Sequence, residues 1–316
     1  MLSNFFVALG AVVPIFVLIG IGLIVRHAKL LTDIELKHMN RMVFKVFFFC
    51  MLFSNIYRAD FADAYDPALM VFGFLSISLL FVFSTIFAVF FDHDNRRRGA
   101  MAQAIARSNF VILGIPIVVN IFGEDGAIYP SMMIAVIIPI YNVASVLILE
   151  TFRGHGFSLL PIITRIAKNP MIDGMIVGAL CRLLPFPIPE PILKPLMQVG
   201  AATTPIALII LGASFTMGGE AKAPAERRDL AACIIGRLLV APAIILTMAG
   251  LLGFRGAEFV TLIAITTTPC AVASFTMAQQ MDSDAVLAGN AVVISSALSC
   301  FTMFGWIFGA KMLGLF

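Results

Sequence analysis

The strongest constraint on this chain is its punctuation: ten apolar runs, each near the length of a membrane crossing, divided by short polar breaks. A helix needs about 20 mainly apolar residues to cross a hydrocarbon core ~30 Å thick. The runs lie at roughly 4–25, 38–57, 67–91, 100–122, 127–150, 170–184, 195–217, 229–252, 257–279 and 285–313. Ten such helices use about 210 residues and leave only short loops. Hydrophobic residues make up 60% of the chain and charged residues 12%, against about 45–50% and 25% in soluble domains. That excludes an ordinary soluble enzyme and a disordered chain. The net charge of +3 is too slight for a nucleic-acid partner. The lipid bilayer is the expected surrounding, and an all-α polytopic membrane protein the expected fold class.

The first run ends at Arg26-His27 without a small-residue cleavage pattern and has no basic residue before it. It reads as a transmembrane helix rather than a signal peptide. Lys and Arg placement then sets the topology. With the N-terminus outside, the inner loops hold Arg26, Lys29, Lys37, Arg41, Arg96, Arg97, Arg98, Arg153, Arg165, Lys168, Lys222, Arg227 and Arg228. The outer segments hold Arg58, Arg182, Lys194, Arg255 and Lys311. Thirteen against five favours both termini outside the cytoplasm, in the cell (inner) membrane.

The longest polar connection, 151–169, splits the chain into 1–150 and 170–316, with five runs each. An odd number per half inverts the second half relative to the first, a layout common in secondary transporters. The fourth run of each half carries a polar stretch and a Pro midway. One is Ser108-Asn109 leading to Gly114-Ile115-Pro116; the other is Thr266-Thr267-Thr268-Pro269-Cys270. Pro removes a backbone donor and clashes with the preceding turn, and a broken helix inside a membrane is tolerated where it lines a polar cavity. Its free N-terminus suits a carboxylate or phosphate. The interruptions are thus expected at Pro116 and Pro269, with Ser108, Asn109, Gly114, Ile115, Pro116, Thr266, Thr267, Thr268, Pro269 and Cys270 as candidate substrate-binding residues. Local readings stand beside this: a Pro kink, an interhelical bond from Asn109, and Thr hydroxyls bonded to their own helix.

Arg107 and Arg237 lie inside apolar runs and are candidates to attract an anion; each could equally snorkel to the interface. No nucleophile elbow, Walker motif, dinucleotide fingerprint or zinc-binding spacing occurs, so neither an enzyme nor a metal or cofactor is expected. The five Cys form no C-x-x-C pair and read as small buried hydrophobes.

Several strings in fixed order carry a resemblance: Arg107-Ser108-Asn109 to Gly114-Ile115-Pro116, Phe122-Gly123, Lys168-Asn169-Pro170, Pro205-Ile206-Ala207-Leu208 leading to Gly212-Ala213-Ser214, Pro269 with Ala278-Gln279-Gln280, and Ser295-Ser296-Ala297-Leu298-Ser299. Over nearly its whole length the chain resembles the auxin efflux carrier family, especially bacterial members, some known as malonate transporters. The resemblance implies ten helices in two inverted five-helix repeats with broken crossover helices. It implies a scaffold part, a transport part, an elevator-like motion, a small organic anion as substrate and a homodimer. Asn109 matches the first of two crossover Asn positions. The second crossover reads Thr267-Thr268-Pro269 and lacks Asn, which favours an organic acid other than auxin. The rival readings are a sodium-coupled carrier like the bile-acid symporters and a membrane sensor that binds without transporting.

Overall fold

The computed structural model describes residues 2–58, 66–123, 126, 128–153, 164, 166–184, 186–214 and 224–316. Side chains are described from Val13 on, except Ile112, Ile115, Pro224 and Ala225. Most of the connection 151–169, with Arg165, lies outside the described residues, as does Lys222.

The described chain is helical, with a single isolated two-residue bridge in place of any strand. α1 is Leu2–His27. α2 is Asp33–Tyr57, with a π-turn at Val43–Phe47. α3 is Pro67–Phe91, α4 Asn95–Ala106, α5 Phe110–Phe122 and α6 Ile128–Phe152. α7 is Pro170–Arg182 and α8 Glu190–Ser214. α9 joins Pro224–Ile235, a π-turn at Gly236–Val240 and Ala241–Leu251. α10 is Gly256–Thr267, α11 Ala273–Gln280 and α12 Ala285–Met312. Six of the described helices are long and apolar enough to cross a membrane: α2, α3, α6, α8, α9 and α12.

Four starts, those of α2, α4, α8 and α9, fall about five residues earlier than the apolar pattern suggests. α2 begins at Asp33 rather than 38, because Thr32 and Glu35 form a reciprocal capping box. α8 begins at Glu190 rather than 195 and carries Pro195 and Pro205 inside it; neighbouring helices make such prolines tolerable in a membrane. α7 opens as expected, with Pro170 in its first turn and the Asn169 side chain accepting from the Met171 N–H.

The expected fourth and ninth runs are each two helices, and here one expectation is corrected. The break in the fourth run is not at Pro116, which lies inside a continuous α5. It is one helical segment earlier, at Arg107-Ser108-Asn109, between α4 and α5. The ninth run breaks as expected around Pro269, between α10 and α11.

α1, α2, α7 and α8 form one packed group: α1 runs along α8, and α2 along α7 and α8. Glycines permit the close approach. A Cβ on Gly212 would collide with the Ile19 carbonyl, and one on Gly22 with the α8 backbone. On α7, a Cβ on Gly174 would stand 2.6 Å from the Phe49 carbonyl oxygen, and one on Gly178 2.7 Å from that of Phe53. The remaining helices gather around the breaks: α3 packs on α4 and α6, α10 on α5 and α9, and α12 on α11, α9 and α10. In each π-turn a carbonyl accepts from a side chain on a neighbouring helix. Thr203 donates to the Phe47 carbonyl at 3.0 Å and Trp306 to that of Leu238 at 3.0 Å.

Alternate connections meet at opposite ends of the bundle. At one end, Arg97 faces Asp92, Glu226, Asp229 and Asp284, and Arg153 pairs with Asp282 at 2.8 Å. At the other, Arg182 donates to the Tyr57 carbonyl at 3.1 Å, Gly256 N–H to the Leu315 carbonyl at 2.9 Å, and Phe122 meets Phe316 edge-on.

Candidate transport site

The two breaks touch. Ser108 and Cys270 form an antiparallel bridge. Asn109 N–H donates to the Pro269 carbonyl at 2.8 Å and Ala271 N–H to the Arg107 carbonyl at 3.1 Å. Each break therefore supplies part of the other's missing backbone bonding, and Ser295 on α12 accepts from the Cys270 N–H at 3.0 Å. Four helix ends meet here: the C-termini of α4 and α10 and the N-termini of α5 and α11. An N-terminus leaves N–H groups without intrahelical partners and carries a partial positive charge.

A cavity of about 560 Å³ lies on the N-terminal side of this junction. Its floor is Arg107, Ser108, Asn109 and Phe110 from the first break and Ala271, Val272 and Ala273 from the second. Its walls are largely apolar: Phe48, Met51 and Leu52 on α2, Ile134, Ile138 and Tyr141 on α6, and Met197, Gly200 and Ala201 on α8. Ser54, Asn55, Arg58, Ser131 and Thr204 add polar groups. Arg58 lies at the end of the bundle opposite the Arg97 cluster, so the cavity runs from the junction toward that end. Two arginines and no carboxylate line it among the described residues. The size suits a small molecule, and the charge suits an anion.

The floor is ordered by its neighbours. The Arg107 guanidinium donates to the Asn142 side-chain oxygen at 2.8 Å and to the Met277 sulfur at 2.7 Å. It is buried, so it does not snorkel. Asn142 in turn donates to the Ile138 carbonyl at 2.8 Å, which fixes which side-chain atom faces Arg107. Ser108 and Tyr141 hydroxyls lie 2.6 Å apart. The Asn109 carboxamide nitrogen is buried and has no hydrogen-bond partner, and Asn109 is one of the residues that line the cavity. A buried donor without a partner costs about 1–3 kcal/mol.

The other expected site residues lie elsewhere. Gly114 faces Phe110 and Ala264 in the packing between α5 and α10. Pro116 is exposed on α5; the backbone of Ile115 is helical and its side chain lies outside the described atoms. Thr266 and Thr267 return their hydroxyls to the carbonyls of Leu262 and Ile263, the local role that stood as the alternative. Thr268 has a buried, unpartnered hydroxyl away from the cavity lining. Pro269 and Cys270 serve the junction through their backbones. Arg237 is fully buried with its guanidinium on main-chain carbonyls, neither at an aqueous mouth nor at the interface. Tyr141 and Asn142 were not anticipated. The sequence signal was an adjacent polar pair two residues after Pro139 in the fifth run.

Apolar helices that enclose a cavity over two crossed, broken helices define a polytopic membrane transport protein. The chain belongs to the auxin efflux carrier family: the family model described as "Membrane transport protein" matches residues 7–156 and again 156–307. It is similar to an uncharacterized transporter of Methanothermobacter thermautotrophicus, 24% identical over 303 residues, covering 93% of this chain and 96% of that protein. A second uncharacterized transporter, from Methanocaldococcus jannaschii, is 25% identical over 228 residues, covering 69% of this chain and 70% of the relative.

Proposed function

We propose that the protein is a secondary carrier, without ATP, of a small organic anion such as a mono- or dicarboxylate. The observation that carries this is a cavity floor that holds Arg107, two helix N-termini and Asn109, whose buried carboxamide nitrogen has no protein partner. A carboxylate there accepts from Asn109, lies near the Arg107 charge and meets the free N–H groups of α5 and α11. Ser108 and Tyr141 offer hydroxyls, and the apolar walls take the carbon skeleton.

In this reading the chain crosses the cell membrane ten times in two inverted halves, with both termini outside. The double family match and the mutual pairing of the two breaks support it. α1, α2, α7 and α8 serve as scaffold, and the helices around the breaks move as the elevator. The cavity faces the outer end in the conformation described. The protein pairs as a homodimer.

Flux in proteoliposomes tests the reading. A panel of mono- and dicarboxylates, malonate and indole acetate included, is offered with and without proton or sodium gradients. Saturable uptake of at least one acid is expected, and Asn109→Ala should weaken it strongly while the variant remains folded. Full flux in Asn109→Ala would remove Asn109 from the site; no flux of any acid in the unsubstituted protein would reject the organic-anion reading.

A further inference from the structure

A crossover of broken helices has a built-in electrostatic conflict. Two N-termini favour an anion, but two C-termini meet at the same junction and present carbonyl oxygens of the opposite polarity. At short range in a low-dielectric interior neither is well screened. Left alone, the C-terminal ends of α4 and α10 would oppose the field that the N-terminal ends of α5 and α11 present to the cavity.

Arg237 addresses that conflict. It stands in the π-turn of α9 and is fully buried. Its Nη1 donates to the carbonyls of Ile105 and Ala106, both at 3.1 Å, at the end of α4. Its Nη2 donates to the carbonyl of Ile265 at 3.3 Å and to that of Thr266, in the last turn of α10. Its Nε donates to the Thr268 carbonyl at 3.1 Å, inside the second break. Those five bonds use all five guanidinium N–H groups. One side chain thus holds the C-terminal ends of both broken helices and places a full positive charge on them. It does not line the cavity, so it has neither a free donor nor a path to a ligand.

We infer that Arg237 is the positioning residue of the site: it clasps the two half-helix C-termini into one unit and cancels their charge, so that the N-termini act on the anion unopposed. The inference rests on the anion reading for its effect on affinity, whereas the clasp itself does not. Lysine at this position retains the charge but offers three donors instead of five. Glutamine retains neither the charge nor the fork.

Cys270 lies in the second break, buried, two residues beyond Thr268, and reports on the junction. Cys50 on α2 and Cys300 on α12 are also buried and lie outside the two breaks. The full-length protein in liposomes is treated with membrane-permeant N-ethylmaleimide, without substrate, and each cysteine's rate is read by mass spectrometry. In Arg237→Gln, Cys270 should react at least about tenfold faster, as expected for loss of charged hydrogen bonds, while Cys50 and Cys300 keep their rates. Arg237→Lys should fall between. An unchanged Cys270 rate in Arg237→Gln overturns the clasp. So does acceleration of all three thiols together, which makes Arg237 a packing residue of the whole bundle. For a carboxylate the protein carries, KM should rise about tenfold or more in Arg237→Gln and less in Arg237→Lys; equal KM in all three proteins overturns the electrostatic role. Labelling without substrate decides the clasp even where no carboxylate is carried, so its failure and that of the organic-anion reading are told apart.

Discussion

Asn109 and Pro116 stand a short way apart in one apolar run, and the structure gives them opposite standing. The Asn109 side-chain nitrogen is enclosed beside the cavity with no protein acceptor. A hydrogen bond to a charged ligand contributes about 1.5–3 kcal/mol, so Asn109→Ala should raise KM by roughly 10- to 100-fold where flux is still measurable. Pro116 is exposed within a continuous helix. A proline there only withholds one backbone bond. Pro116→Ala should therefore leave uptake within about twofold of the unsubstituted rate, since tolerated prolines in membrane helices have their backbone groups satisfied otherwise. A larger loss would mean that α5 needs its proline for turnover. Arg107, Ser108 and Asn109 were legible because polar residues in an apolar run demand a reason. The Thr run had the same signal and a different cause. Thr266 and Thr267 bond one turn back along α10, and a sequence does not distinguish a hydroxyl satisfied by its own helix from one awaiting a ligand.

Helix existence followed from apolar length, but proline marked the interruption only at Pro269 and not at Pro116. α8 runs through two prolines and α5 through one, whereas the break between α4 and α5 contains none. What defines that break is its partner: Asn109 and Ala271 exchange backbone bonds with the opposite break. That pairing is non-local, so a reading along one run cannot see it. Tyr141 and Asn142 were obscure for the same reason, because the face that α6 turns toward the junction is set by packing. Gly212 sits against the Ile19 carbonyl where α1 and α8 cross, with no room for a methyl group. Gly212→Ala should force these helices apart and cost about 1–3 kcal/mol, the range for overpacking a well-packed contact. Thermal unfolding in detergent reads the cost. By contrast, Gly20→Ala on α1 meets nothing nearby and should leave the midpoint unchanged. Equal midpoints for both variants would show that the α1–α8 contact yields without strain.

At the scale of the whole molecule, the chain's weak charge becomes informative through its placement. The loops rich in Lys and Arg meet at one end, where Arg97 faces four carboxylates drawn from the α3–α4 connection, α9 and the start of α12. The opposite end carries Arg58 and Arg182 and opens into the cavity. Positively charged loops resist translocation, so the Arg97 end should be cytoplasmic and the cavity should face outward. His93, exposed beside that cluster, and Leu313, exposed at the end of α12, lie at opposite ends. In a background lacking the native cysteines, Leu313→Cys should react with a membrane-impermeant maleimide in right-side-out vesicles. His93→Cys should react only after permeabilisation. The reverse pattern would place the cavity on the cytoplasmic side and make uptake and efflux exchange their meaning. The same vesicles link orientation to transport. An impermeant carboxylate analogue that occupies an outward cavity should inhibit from outside and fail when trapped within, and the side from which it inhibits should match the side on which Leu313→Cys is labelled.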